Sequence, residues 1–138
     1  VETAPLDLDR PVDAALVTLI ADRLAVAPEA QLHLPLPYDG VAREIASVIM
    51  SDPTLSLDDC FRKANASRRT IERRFMTETA MSLGQWRRRA RILAAVTMLA
   101  EGTNVTQTAL AVGYATPSSF VAAFRSELGT TPSKFVPR

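Results

Sequence analysis

Four arginines and a glutamate crowd the segment Arg68-Arg69-Thr70-Ile71-Glu72-Arg73-Arg74. A guanidinium is a planar fork of donors, and a carboxylate accepts hydrogen bonds. At 100° per residue, Arg69, Glu72, Arg73 and Met76 fall on one side of a helix, and Ile71 and Phe75 on the other. An arginine fork fits O6 and N7 of guanine, and a carboxylate can accept from N4 of cytosine. The pattern implies a helix that reads base edges in a major groove while its apolar side anchors it. Glu72 is equally suited to ion pairs with Arg68 or Arg69. Arg74 lies off the reading face, where a phosphate contact and a surface role are both open.

Other chemistry finds little material. With 1 His and 1 Cys the chain cannot form a metal quartet, and it has no Gly-rich phosphate loop or nucleophile elbow. No catalytic residue, metal or cofactor is expected, and an enzyme is excluded on this reading. His33 lies in a proline-containing connector and reads as incidental. A single cysteine rules out an intrachain disulfide and fits a reducing cytoplasm, the expected location. Cys60 falls on a buried stripe and reads as an inert core thiol.

The composition, 47% hydrophobic, is that of a globular chain, and no run is long and apolar enough to span a membrane. The first residue is Val and nothing near it resembles a signal peptide, so a piece of something longer is expected. The net charge of +1 hides an uneven distribution. Residues 1–60 hold 3 Lys+Arg against 11 Asp+Glu, whereas residues 61–92 hold 10 against 2. A charge run is commonly a solvated helix face. Here it coincides with the base-reading pattern, so a footprint for phosphates is favoured.

Several elements must position these side chains. Leu57, Cys60, Phe61 and Ala64 have the spacing of one buried helical stripe. Asn65-Ala66-Ser67 breaks it: Asn tolerates the left-handed conformation that ends a helix, and Ser67 caps the next. The second helix runs from about Arg68 to Thr79. Upstream, residues 11–27 read as a helix with a broad apolar face (Val12, Leu16, Leu19, Ile20, Leu24) for packing or dimerisation. Residues 28–40 read as an extended connector. Val41 to Ser51 is a helix with Val41, Ile45, Val48 and Ile49 inward, ended by Asp52-Pro53. Ser56 caps the first helix of the motif. Ser82 caps a long helix, Leu83 to about Ala100, that Gly102 stops. Trp86 is expected in the core between this rod and the first lobe. Arg87, Arg88, Arg89 and Arg91 are spread around the rod, with one or two able to reach phosphate.

Past Gly102 the pattern returns. Val105, Ala109 and Val112 mark a short helix, Gly113 a turn, and Phe120 with Phe124 an inner face. Gly113 answers Asn65 at an offset of about 48, while Phe120 and Phe124 answer Ile71 and Phe75 at about 49, so the second turn is one residue longer. Two such units joined by a rod is a far more specific signal than either alone.

TIERRF, ETAMSLGQWRRRARI and ALAVGYATPSSFVAAFRSELGTTPSKF, in that order, resemble the DNA-binding domain of the AraC/XylS family of transcription regulators. The match covers about residues 41–136. The resemblance implies an all-α, homeodomain-like fold: lobe one over about 41–81, a linker helix over about 83–101 and lobe two over about 104–136. Residues 1–40 would be the end of a sensor and dimerisation region. The implied function is sequence-specific binding of double-stranded DNA, with two recognition helices in adjacent major-groove segments. Implied partners are duplex DNA, RNA polymerase subunits in the full-length context, and a second copy through residues 11–27; no membrane is involved. The competing reading is a helical protein–protein interaction module built on the acidic, apolar amino-terminal half.

Carried onto this chain, the first reader is Arg68, Arg69, Glu72 and Arg73, and the second is Thr116, Pro117, Ser118 and Ser119, with Ala122 one turn on. Ser118 and Ser119 equally suit helix capping. Phosphate contacts are assigned to Ser67, Thr70, Arg74, Arg88 and Arg125. Four departures from the family pattern stand out. Asn65 replaces the usual turn glycine. Ala80 replaces a frequent glycine, at a cost of up to about 1 kcal/mol if φ must be positive. Phe61 replaces a small residue, so lobe one is expected to pack differently. Ala122 lacks a long polar side chain, which shifts the second helix toward shape and phosphate readout.

Overall fold

The computed structural model describes residues 33–38 and 40–138. All regular structure among them is helical: α1 (Gly40–Ser51), α2 (Leu57–Lys63), α3 (Arg68–Thr79), α4 (Leu83–Ala100), α5 (Val105–Ala111), α6 (Pro117–Leu128) and a 3-10 turn (Pro132–Phe135). The helix expected over residues 11–27 lies outside the described residues, as do residues 28–32 and 39 of the connector.

Short polar residues start the helices. Ser56, Ser67, Ser82, Asn104 and Thr116 each accept a hydrogen bond from the backbone N–H three residues on, satisfying a donor the helix itself cannot. At Ser82 the bond is reciprocal, because Gln85 Oε1 accepts from the Ser82 N–H at 3.0 Å.

Two separate cores form. Ile45, Ile49, Cys60, Ile71, Phe75, Leu83 and Trp86 fill the first, and Ile92, Val96, Leu99, Val112, Phe120 and Phe124 the second. The 18-residue α4 belongs to both. At 100° per residue, Leu83, Trp86 and Ala90 point one way, and Ile92, Ala95, Val96 and Leu99 point about 160° away from them. The lobes therefore pack on nearly opposite sides of one rod about 27 Å long. Trp86 sits in the first core as expected, edge-on to Phe75 at 5.4 Å, and its Nε1–H donates to Pro35 O at 2.7 Å. That bond and Tyr38 N–H to Glu78 Oε2 (2.8 Å) tie the connector to lobe one.

The two turns differ in construction. Residues 64–67 join α2 to α3 and residues 112–116 join α5 to α6, so the second is one residue longer, as the offsets require. In lobe two, Gly113 (φ +95°) donates to Leu110 O and Tyr114 to Ala109 O, a paired closure that needs a left-handed residue at Gly113. The left-handed conformation expected at Asn65 does not occur: Ala80 is the only described non-glycine with positive φ. After Lys63 the chain instead leaves through Ala64 in extended geometry (φ −84°, ψ 144°). The shorter turn reaches Ser67 without reversing the backbone.

The expected buried stripe of α2 is corrected as well. Cys60 is fully buried, but Leu57, Phe61 and Ala64 are only half-buried. Lobe two has fully buried Ala109 where lobe one has Phe61. A phenyl ring does not fit where a methyl packs, so it is displaced to the lobe's edge. In α1, Ile45 and Ile49 are buried as expected, while Val41 and Val48 are half-buried because Ala42 and Ala46 take the closest approach.

Ala80 ends α3 at φ 59°, and Gly129 ends α6 at φ 69° with the same backbone bond back to the helix. Only Ala80 carries a Cβ in that conformation. Ala80→Gly is therefore expected to stabilise the protein by about 1 kcal/mol, and Gly129→Ala to destabilise it similarly. Opposite changes in thermal midpoint would bear this out; a lower midpoint for Ala80→Gly would contradict it.

Candidate nucleic-acid interface

The core side of α3, Ile71 and Phe75, is completely buried, and Thr79 continues it by donating from Oγ1 to Phe75 O at 2.6 Å. That burial turns Arg69, Glu72, Arg73 and Met76 to solvent. Arg69 and Arg73, one turn apart, make no side-chain hydrogen bond or ion pair to any described residue. Glu72 accepts from Arg68 Nε at 3.2 Å, which realises one of its two expected uses.

Arg68 is more engaged than its neighbours. Besides Glu72, its guanidinium approaches Asp58 at 3.7 Å and lies 4.9 Å above the Phe61 ring. The displaced ring thus supplies a cation–π platform that holds Arg68 against α2. Arg74 pairs with Glu78 at 3.6 Å. Ser67 and Thr70 share a hydroxyl–hydroxyl contact of 2.9 Å within the helix cap.

In lobe two the same face of α6 is made of small groups. Thr116, Pro117, Ser118, Ser119 and Ala122 are exposed above buried Phe120 and Phe124. Capping belongs to Thr116, whose Oγ1 accepts from Ser119 N–H at 3.1 Å, and Ser119 Oγ donates back to Thr116 O at 2.9 Å. Ser118 and Arg125 are exposed, and neither side chain bonds to a described residue.

Between the lobes, the arginines of α4 are engaged internally. Arg88 and Arg89 approach Glu127 of α6 at 3.4 and 3.5 Å, and Arg89 also donates to His33 O at 3.4 Å. Arg87 donates to Leu55 O, and Arg91 Nε to Pro53 O at 3.0 Å. The Arg91 guanidinium lies 5.4 Å above the Tyr114 ring. Burial, and next the charge of Arg87, hold Arg91 below the usual arginine range, while burial pushes the Tyr114 hydroxyl up. Sequence reasoning missed this clamp. The available signal was four closely spaced arginines on a helix whose apolar stripes leave them only the flanks. Cys60 has its thiol pushed up by burial, consistent with an inert core group.

No group of His, Cys, Asp and Glu among the described residues could hold a metal, and no described helix is long and apolar enough to cross a membrane. Two helix-turn-helix units share one rod, which defines a tandem helix-turn-helix domain. A family model described as "Helix-turn-helix domain" matches residues 60–138. The chain is 37% identical over 103 residues to the HTH-type transcriptional regulator RipA of Corynebacterium glutamicum, a match covering 73% of this chain and 31% of that one. It therefore spans about a third of that regulator's length. Its fold resembles an AraC-type transcriptional regulator of Chromobacterium violaceum (TM-score 0.64, 23% identity, 69% of this chain and 88% of that one). It also resembles the DNA-binding domain of AdpA, solved with a target DNA (TM-score 0.63, 25% identity, 70% and 90%). The chain belongs to the AraC-type helix-turn-helix family of transcription regulators.

The clamp yields a prediction. A Cβ on Gly113 would lie 2.6 Å from Pro53 O and 2.7 Å from Arg91 Nη2, in a left-handed conformation. Gly113→Ala is expected to destabilise the protein by about 2–4 kcal/mol, from strain and overpacking together. A denaturant melt showing less than about 1 kcal/mol would mean that the seam yields easily.

Proposed function

We propose that this chain is the DNA-reading part of a transcription regulator and binds duplex DNA sequence-specifically, one recognition helix from each lobe entering adjacent major-groove segments. One observation carries the reading: Arg69 and Arg73 stand exposed on the outer face of α3 with no partner among the described residues, while every arginine of α4, together with Arg68 and Arg74, is engaged within the molecule. A free fork costs nothing to redirect onto guanine, whereas an engaged one must first break its contacts.

The roles then separate. Arg69 and Arg73 read bases directly. Glu72 accepts from a base or stays with Arg68, and Arg68 braces the helix and turns to DNA only by leaving Glu72 and Asp58. In lobe two, Ser118 offers the free hydroxyl and Pro117 and Ala122 offer apolar contact, so α6 reads groove shape and thymine methyls more than hydrogen-bond patterns. Thr116 and Ser119 hold the helix start at the groove. Arg125 is the phosphate contact of lobe two, with Ser67 and Thr70 presenting backbone and hydroxyl donors in lobe one. Arg74 and Arg88 contribute to the positive field from within ion pairs. The AdpA domain solved with a target DNA supports this reading, as do relatives named as transcriptional regulators.

On this reading residues 1–40 belong to a sensor or dimerisation region, residues 11–27 supply a contact between copies, and residues 41–138 form the reading domain. RNA polymerase subunits are partners of the full-length regulator, which acts in the cytoplasm and carries out no catalysis.

Selection from a random duplex pool, with anisotropy titration at two salt concentrations, tests the proposal. One motif with two blocks about one helical turn apart is expected, with affinity falling steeply as salt rises. Arg69→Ala and Arg73→Ala should each cost about 1–3 kcal/mol of binding and relax preference at one base position. If both variants select the parent's sequences with unchanged affinity, the reading face is assigned wrongly. No binding at low salt would leave the chain as a protein-interaction module.

A further inference from the structure

Arg87 and Arg91 lie one turn apart on the flank of α4 left free by its two apolar stripes. There the loop before α2 and the turn after α5 close over them and leave a groove of about 490 Å³. Three guanidinium groups, Arg68, Arg87 and Arg91, line it against one carboxylate, Asp58. Asp58 faces Arg68. Among the described residues, Arg87 and Arg91 accordingly have only neutral carbonyls as hydrogen-bond partners, Leu55 O and Pro53 O. Arg87 Nε is buried and donates to no atom among the described residues. Two like charges in a partly buried seam, one with an orphaned donor, are costly unless an anion joins them.

We propose that this seam between the lobes binds a phosphate-class oxyanion, held by the Arg87 and Arg91 guanidinium groups with Arg68 at the rim. Two forked donors on one side can meet the tetrahedral oxygens of a phosphate group, and the Arg87 Nε–H, without a partner among the described residues, is a donor that a turn of the side chain brings to the anion. Arg68 can turn its Nη1 from Asp58, 3.7 Å away, toward the anion while its Nε keeps the bond to Glu72. Gly113 keeps the floor open, since a side chain there would displace the Arg91 guanidinium. The phosphate comes either from a duplex backbone where it passes between the lobes or from a free phosphorylated small molecule. An anion bound here touches both lobes and the rod, so it stiffens their relative orientation.

The duplex source rests on the DNA-binding reading, and the free source does not. The test follows the Arg87 Nε–Hε resonance of ¹⁵N-arginine-labelled protein, identified by its disappearance in Arg87→Lys. In one arm inorganic phosphate is titrated at constant ionic strength; in the other, a selected duplex is added in phosphate-free buffer. A saturable shift with phosphate supports the site and a free ligand. A shift with duplex alone supports the site and assigns it to the DNA backbone. Arg91→Lys, checked for folding by thermal melt, should move the midpoint of either titration to higher ligand concentration. An Arg87 resonance unmoved in both arms overturns the proposal, whether or not the duplex binds. Failure of the DNA-binding reading would appear separately, as absent anisotropy change.

Discussion

Arg91 ties the turn regions of the two lobes directly to each other beside the rod they share. Its Nε–H reaches the carbonyl of Pro53 in lobe one, and its face lies on Tyr114 in lobe two. Gly113 makes the approach possible by having no side chain where the guanidinium passes. A planar cation is suited to this place because it can donate along its edge and stack through its face at once. Glu127 adds a second tie from α6 to Arg88 and Arg89 on the rod. Both cores pack on α4, which fixes each lobe to the one rod, and the polar seam adds direct ties between the lobes.

That use of arginine changes the meaning of the basic run at residues 61–92. Its ten positive side chains look like one electrostatic footprint in the sequence. In the folded chain they divide. The four on α4 tie elements of the two lobes to the rod, Arg68 and Arg74 brace α3 through Glu72 and Glu78, Arg62 pairs with Asp59 on α2, and Lys63, Arg69 and Arg73 stand exposed. A surface ion pair is worth little in isolation, but together these pairs leave Arg69 and Arg73 as the forks of α3 with no partner among the described residues, able to meet a ligand without rearrangement.

The repeat is also less symmetric than its spacing suggests. Where lobe two has Ala109 in the core and Gly113 at its turn, lobe one has half-buried Phe61 and a turn that never becomes left-handed at Asn65. Lobe one compensates by using the displaced ring as a platform for Arg68. The outcome is one lobe with a charged outer face and one with a face of hydroxyls and methyls. On the proposed DNA-binding reading, directional hydrogen bonding on one side and shape on the other is a workable division.

Local chemistry was legible from the sequence alone. Helix limits, the caps Ser56, Ser67 and Ser82, the inner faces Ile71/Phe75 and Phe120/Phe124, and the extra residue in the second turn all follow from periodicity and capping, which act over a few neighbours. The tandem helix-turn-helix arrangement followed from two such units around one rod, and the family from the resemblance carried by TIERRF, ETAMSLGQWRRRARI and ALAVGYATPSSFVAAFRSELGTTPSKF. The outward direction of Arg69 and Arg73 was legible for the same reason, since burying one side of a helix exposes the other. The fate of Arg87, Arg88, Arg89 and Arg91 was not, and for Arg68 only the pair with Glu72 was. Their partners are Phe61, Leu55, Glu127, His33 and Pro53, brought near by packing between elements, and several are backbone carbonyls that carry no sequence signal. The conformation at Asn65 likewise depended on where α3 docks. Short-range propensity determined which residues form and cap each helix; tertiary packing decided which arginines remained free, because a charge takes the partner that folding brings within reach.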